Sequence, residues 1–120
     1  MKIKCSDILA KADSLKPNVY TQKLKRSWLN TLEVRIREFT SKYGEEVFDD
    51  AFLTEENPVL RLSAEKSDIY LFYIMAMIDL ANQDINMYNN NTVMFENLLE
   101  NFQKDYRRRN IPQKNTSVKY

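Results

Sequence analysis

The chain has 120 residues, 18 basic and 17 acidic side chains, no histidine, one glycine (Gly44) and one cysteine (Cys5). That length supports one domain with a single modest core. Without histidine there is no imidazole base or imidazole metal ligand. One glycine excludes a glycine-rich phosphate loop, and lone Cys5 has neither a disulfide partner nor an evident base to make it a nucleophile. These absences point away from an enzyme and leave no cofactor or metal site legible. The N-terminal segment lacks signal-peptide shape, because charge separates Ile3 from Ile8 and Leu9. The longest uncharged apolar run, Ile69 to Ile78, is ten residues, about half of the ~20 that span a bilayer. The expectation is a soluble chain of a reducing cytoplasm with no membrane partner.

In chain order, a short helix is predicted from about Asp7 to Leu15, with Ser6 as N-cap and Ile8, Leu9, Ala12 and Leu15 forming its stripe. Pro17 stops it. Thr21 then caps a long helix to about Tyr43, whose buried face is drawn through Leu24, Trp28, Leu32, Ile36, Phe39 and Tyr43, and Gly44 ends it. From Glu45 to Leu62 the periodicity fails. A long ordered acidic connection is expected there, with a short extended piece at Val59 to Leu62, because its apolar residues are costly to leave in water. Ser67 or Ser63 caps a third helix to about Asn82, apolar on nearly every side and therefore central. Asn82, Gln83 and Asp84 reverse the chain, with Asp84 as cap of a fourth helix to about Arg109. That helix aligns Tyr88, Phe95, Leu98, Leu99, Phe102 and Tyr106 on one seam. The short turn and matching seams predict an antiparallel helical hairpin. The expected architecture is all-α, a single helical domain over residues 1–110 followed by a flexible tail at 111–120, with Trp28, Leu32, Ile36, Phe39, Phe95, Phe102 and Tyr106 in the core.

Charge is distributed in blocks. Lys23 to Lys42 holds six bases and two acids, Glu45 to Glu56 six acids and no base, and Lys104 to Lys119 six bases and one acid. Such alternation suits neighbours meeting in register more than one face gripping DNA, although solvated faces explain any single block equally well. The acidic cluster lacks the spacing and central glycine of a calcium loop. Arg107, Arg108 and Arg109 sit where a helix end favours cations, and a protein partner is the next explanation. Tyr70, Phe72, Tyr73 and Tyr88 are too many aromatics for one small core to enclose, so Tyr70, Tyr73 and Tyr88 are candidates for an intersubunit contact. Asn89, Asn90 and Asn91 are poor helix residues that make most sense bonded to a neighbouring element.

Taken together, Lys16-Pro17-Asn18-Val19-Tyr20, Trp28-Leu29-Asn30-Thr31-Leu32-Glu33, the Tyr-rich stretch from Tyr70 to Asp79, Tyr88-Asn89-Asn90, Phe95, Phe102 and Tyr106-Arg107 form an ordered pattern. This pattern resembles the small helical head-to-tail connectors, or head completion adaptors, of long-tailed bacteriophages and prophages. It departs from them at Gln83, where a glycine is common, and in the acidic loop. The resemblance implies a structural virion protein of the neck, made in the bacterial cytoplasm. Such a protein docks as a homo-oligomeric ring, of twelve-fold symmetry to match the portal, and meets portal and tail or head completion proteins. It implies an interaction surface drawn from Tyr70, Tyr73, Tyr88, Asn89, Asn90 and Arg107 to Arg109, and a tail that orders on docking; from the residues themselves, no reading helix or turn signature for sequence-specific nucleic acid is recognisable.

A soluble helical regulator that binds a host or phage protein through the same face is the competing class. A ring former self-associates end to end with portal, whereas a regulator forms a small complex of fixed stoichiometry, and a nucleic-acid binder loses affinity steeply with salt.

Overall fold

The computed structural model describes residues 2–43 and 56–110. The expected Gly44 helix end, the acidic connection at 45–55 and the tail at 111–120 lie outside the described residues. The chain begins with a strand, β1 (Lys2–Lys4), that runs directly into α1 (Cys5–Leu15). The long α2 (Gln22–Ser41) follows, then β2 (Val59–Ser63), a single 3-10 turn (Ala64–Lys66), α3 (Ser67–Ala81) and α4 (Ile85–Asn110). The fold is helical in its bulk, with β1 and β2 joined as one small antiparallel sheet.

The extended piece expected near Val59 is β2, and its partner β1 is an element that periodicity missed. Three residues, Lys2-Ile3-Lys4, are too few to display a strand's alternation. Their pairing also changes the start of α1. Ser6 lies inside the helix instead of capping it, because Lys4 is the boundary residue. The first helical N–H groups are satisfied from elsewhere: Lys4 N–H donates to the Asp7 carboxylate at 3.1 Å, and Cys5 N–H donates to the Pro58 carbonyl at 3.0 Å. Ser6 and Asn57 exchange two hydrogen bonds, each 2.9 Å.

Thr21 caps α2 as expected, its hydroxyl accepting from Leu24 N–H at 3.1 Å. The buried stripe of α2 is rotated from the expected one and runs through Lys25, Leu29, Leu32, Glu33, Ile36 and Thr40. Leu24 is exposed, while Trp28 and Phe39 pack half-buried against the core's edge. The sequence favoured the aromatic row, but the helix turns its aliphatic row inward and lets the rings close the sides. Leu15, expected on the stripe of α1, is exposed as well.

Neither Ser67 nor Ser63 caps a helix through its side chain; the 3-10 turn carries the chain into α3, with Lys66 at the boundary. α3 is central, burying Ile69, Tyr70, Leu71, Ile74, Met75, Ala76 and Ile78 against α1, α2 and α4. Its hairpin with α4 is the most extensive packing between elements. The reversal is a Schellman turn: Gln83 N–H donates to Leu80 C=O at 3.0 Å and Asp84 N–H to Asp79 C=O at 2.9 Å. Gln83 takes the left-handed conformation this turn demands, with φ 63°, which accounts for glycine being the easier residue there. Asp84 then caps α4 through Met87 N–H at 3.2 Å.

Along α4, Phe95, Leu99 and Phe102 are buried, with Leu98 and Tyr106 half-buried beside them. Phe39, Tyr43, Phe102 and Tyr106 form an aromatic cluster with ring centroids 5.5–6.1 Å apart, joining the ends of α2 and α4. The core residues Leu32, Ile36, Phe95 and Phe102 are therefore where the sequence placed them, and Trp28, Phe39 and Tyr106 form its rim.

Candidate functional site

The segments singled out in the sequence meet in three polar networks that sequence reasoning did not find. The first lies where the α1–α2 loop crosses the hairpin turn. Lys16 Nζ sits 2.9 Å from Asp79 Oδ1, and the Asn91 amide donates to Asp79 Oδ2 at 2.6 Å. Tyr20 donates its phenol proton to Asn82 Oδ1 at 2.6 Å while its ring lies edge-on to Trp28, 6.1 Å away. Buried Asp79 thus draws a cation and an amide from two other segments, as a desolvated carboxylate requires.

The second network centres on Asp13. Lys25 Nζ donates to its Oδ1 at 2.7 Å, Asn18 Nδ2 to the same oxygen at 3.0 Å and Gln22 Nε2 to Oδ2 at 2.9 Å. Lys25, only 2% exposed, also donates to Asn18 Oδ1 at 3.0 Å. Partial burial works against ionisation of Asp13, but the hydrogen bonds from Lys25, Asn18 and Gln22 outweigh it and hold the carboxyl below the usual range. Asn18 also accepts from Tyr20 N–H at 3.1 Å, an Asx turn that shapes the loop after Pro17.

The third network fastens β2. Glu33 accepts from Arg61 N–H through Oε2 at 2.7 Å and from the Tyr70 hydroxyl through Oε1 at 2.8 Å, and that hydroxyl accepts from Leu62 N–H at 2.9 Å. Two successive strand amides without a third strand are satisfied by side chains from α2 and α3. Burial pushes the Glu33 carboxyl up despite these bonds, and pushes the Tyr70 phenol far up together with the Glu33 charge.

These contacts correct one site assignment. Tyr70, expected on an interaction surface, is fully buried, because its hydroxyl holds β2 from inside the core. Tyr73 is half-buried and packs on Phe95 with centroids 5.2 Å apart, and Tyr88 is half-buried on the first turns of α4. Asn89 and Asn90 are exposed, and Asn91 is the asparagine that turns inward. Arg107, Arg108 and Arg109 are exposed on the last turn of α4, where Arg108 pairs with Asp105 and Arg109 lies 3.6 Å from the same carboxylate.

One exposed surface runs along α4. From Ile85 to Phe95 the helix carries no charged residue. Ile85, Met87, Val93 and Met94 are exposed there together with Asn89 and Asn90, and Leu80 is exposed across the turn. An uncharged helix face of amides and apolar side chains, changing to charge only from Glu96 onward, is a surface suited to another protein.

Cys5 is 2% exposed and burial raises its thiol, so little of it is the reactive thiolate. Among the described residues no group of three or more acids or cysteines is placed to hold a metal ion, and no helix is long and apolar enough to cross a membrane.

Comparison with known proteins returns no match to a family model, a curated protein or a solved structure, so any role assigned to the chain rests on its own residues.

Proposed function

We propose that the chain is a structural head-to-tail connector of a long-tailed bacteriophage, docking as a ring of copies below the portal and joining head to tail. The observation that carries this reading is the resemblance in the ordered set Lys16 to Tyr20, Trp28 to Glu33, Tyr70 to Asp79, Tyr88 to Asn90, Phe95, Phe102 and Tyr106-Arg107. The contacts within that set support it. Lys16 meets Asp79 and Glu33 meets Tyr70, so segments far apart in sequence are held together in one architecture.

α4 supplies surfaces that such a role would use. Its uncharged first half offers Ile85, Asn89, Asn90 and Val93 for packing against a neighbouring copy, and its last turn offers Arg107, Arg108 and Arg109 for an acidic surface of the portal. Peptide mass spectrometry of purified, DNA-filled particles tests the proposal. A copy number comparable with portal is the expected result. Absence from intact particles removes the connector reading in favour of a soluble regulator. Within the connector reading, reversing the charges of Arg107 to Arg109 should stop docking while leaving the melting transition in place.

A further inference from the structure

Away from the uncharged face of α4, a cleft of about 390 Å³ lies between β2, the 3-10 turn and the C-terminal part of α4. Its rim carries four cations, Lys2, Arg61, Lys66 and Arg109, against two acids, Glu65 and Asp105. Asp105 is already engaged by Arg108 and Arg109. The Lys2 ammonium bonds a neutral acceptor, the Arg61 carbonyl, at 2.8 Å. Lys66 reaches Asp105 only through its field. With Asp105 held by the arginines, Lys2 and Lys66 stand on the rim against Glu65. Beneath it, within a lining that is otherwise largely polar, Leu62 and Phe102 are each 7% exposed, with Tyr106 at the side.

We infer that this cleft is a docking site for a carboxylate-rich peptide segment of a partner protein, one that also carries an aromatic or aliphatic side chain. Lys2 and Lys66 on the rim receive the carboxylates, and Leu62 and Phe102 receive the apolar group. The two wall acids and the small apolar floor disfavour a nucleic-acid backbone, which would present phosphate throughout and nothing to fill the floor. The same acids can accept main-chain N–H groups from an extended peptide. This inference does not depend on the connector reading, and its test varies Lys2 and Lys66; Arg109, which also lines the rim, is shared with the proposed portal contact.

The test is fluorescence anisotropy of the full chain with a short labelled peptide of Asp and Glu around a Phe. Comparison probes are the same peptide with amides in place of carboxylates and a short single-stranded oligonucleotide. Saturable binding of the acidic peptide is expected, about tenfold weaker for the amide analogue and for the Lys2→Glu/Lys66→Glu double variant. Lys2→Gln/Lys66→Gln should give an intermediate loss and serves as the readout if the reversed variant does not fold. No saturable binding, equal affinity for the amide peptide, indifference to the neutral variant, or tighter binding of the oligonucleotide would each overturn the inference.

Discussion

Lys16, the residue before Pro17, places its ammonium 2.9 Å from Asp79 Oδ1 near the end of α3, where the Asn91 amide from α4 reaches the other carboxylate oxygen. Three segments distant in sequence are thus held at one carboxylate that is itself buried. Removing it by Asp79→Ala leaves the Lys16 cation and the Asn91 amide without their acceptor, and the expected loss is about 2–4 kcal/mol. A denaturant-melt cycle with Lys16→Met should give a coupling of about 1–2 kcal/mol. Additive losses in the two single variants would show that the pair does not fasten the loop.

The turn between α3 and α4 places a non-glycine residue in left-handed backbone, since Gln83 has φ 63°. Relief of that conformation should outweigh the extra chain entropy of glycine. Gln83→Gly is expected to raise stability by about 0.5–1 kcal/mol, and Gln83→Val to lower it. Thermal melts of the two variants should move in opposite directions.

Two carboxylates make opposite contributions to the pH dependence of stability. Burial raises the Glu33 carboxyl, so the native state binds its proton more tightly than the unfolded chain does. That contribution is complete below the ordinary value of 4.5 and is lost as pH rises through the raised value. For Asp13, burial is outweighed by donors that hold the carboxyl below its ordinary 3.8, so its contribution is present above that value and lost as pH falls. Urea titrations over a pH series should therefore separate the variants. Glu33→Gln should flatten the decline on the rising side of pH 4.5, and Asp13→Asn should flatten the acid loss below 3.8. Glu33→Gln should also lower stability by about 1–2 kcal/mol, because an amide nitrogen replaces one of the two oxygens that accept from Arg61 N–H and the Tyr70 hydroxyl.

Cys5 is enclosed at the start of α1 and its thiol is raised by burial. A thiol reagent such as a disulfide dye should react with the native chain far more slowly than with the chain in denaturant. Rapid labelling of native protein would show that the start of α1 opens readily and that β1 pairs only weakly with β2.

Much of this protein follows from local sequence alone. Thr21 before α2 and Asp84 before α4 cap their helices because side-chain oxygens satisfy free helical amides. The uniformly apolar run from Ile69 to Ile78 could only be a central helix, and the short link at Asn82 to Asp84 required a hairpin. The direction in which α2 faces was not decided locally, because its aromatic and aliphatic rows are both periodic. Packing against α3 selected Leu29, Leu32 and Ile36 and left Trp28 and Phe39 to close the edge. Nor could Lys2-Ile3-Lys4 declare itself a strand, since its stability lies in hydrogen bonds to Val59–Ser63 and not in its own pattern. For the candidate site, the place of Arg107 to Arg109 at a helix end was legible in the sequence, and of the asparagines expected to bond a neighbouring element it is Asn91 that does so, while Asn89 and Asn90 are exposed. The burial of Tyr70 was not. A tyrosine belongs inside only when its hydroxyl finds partners, and those partners, Glu33 and Leu62 N–H, are brought to it by tertiary structure.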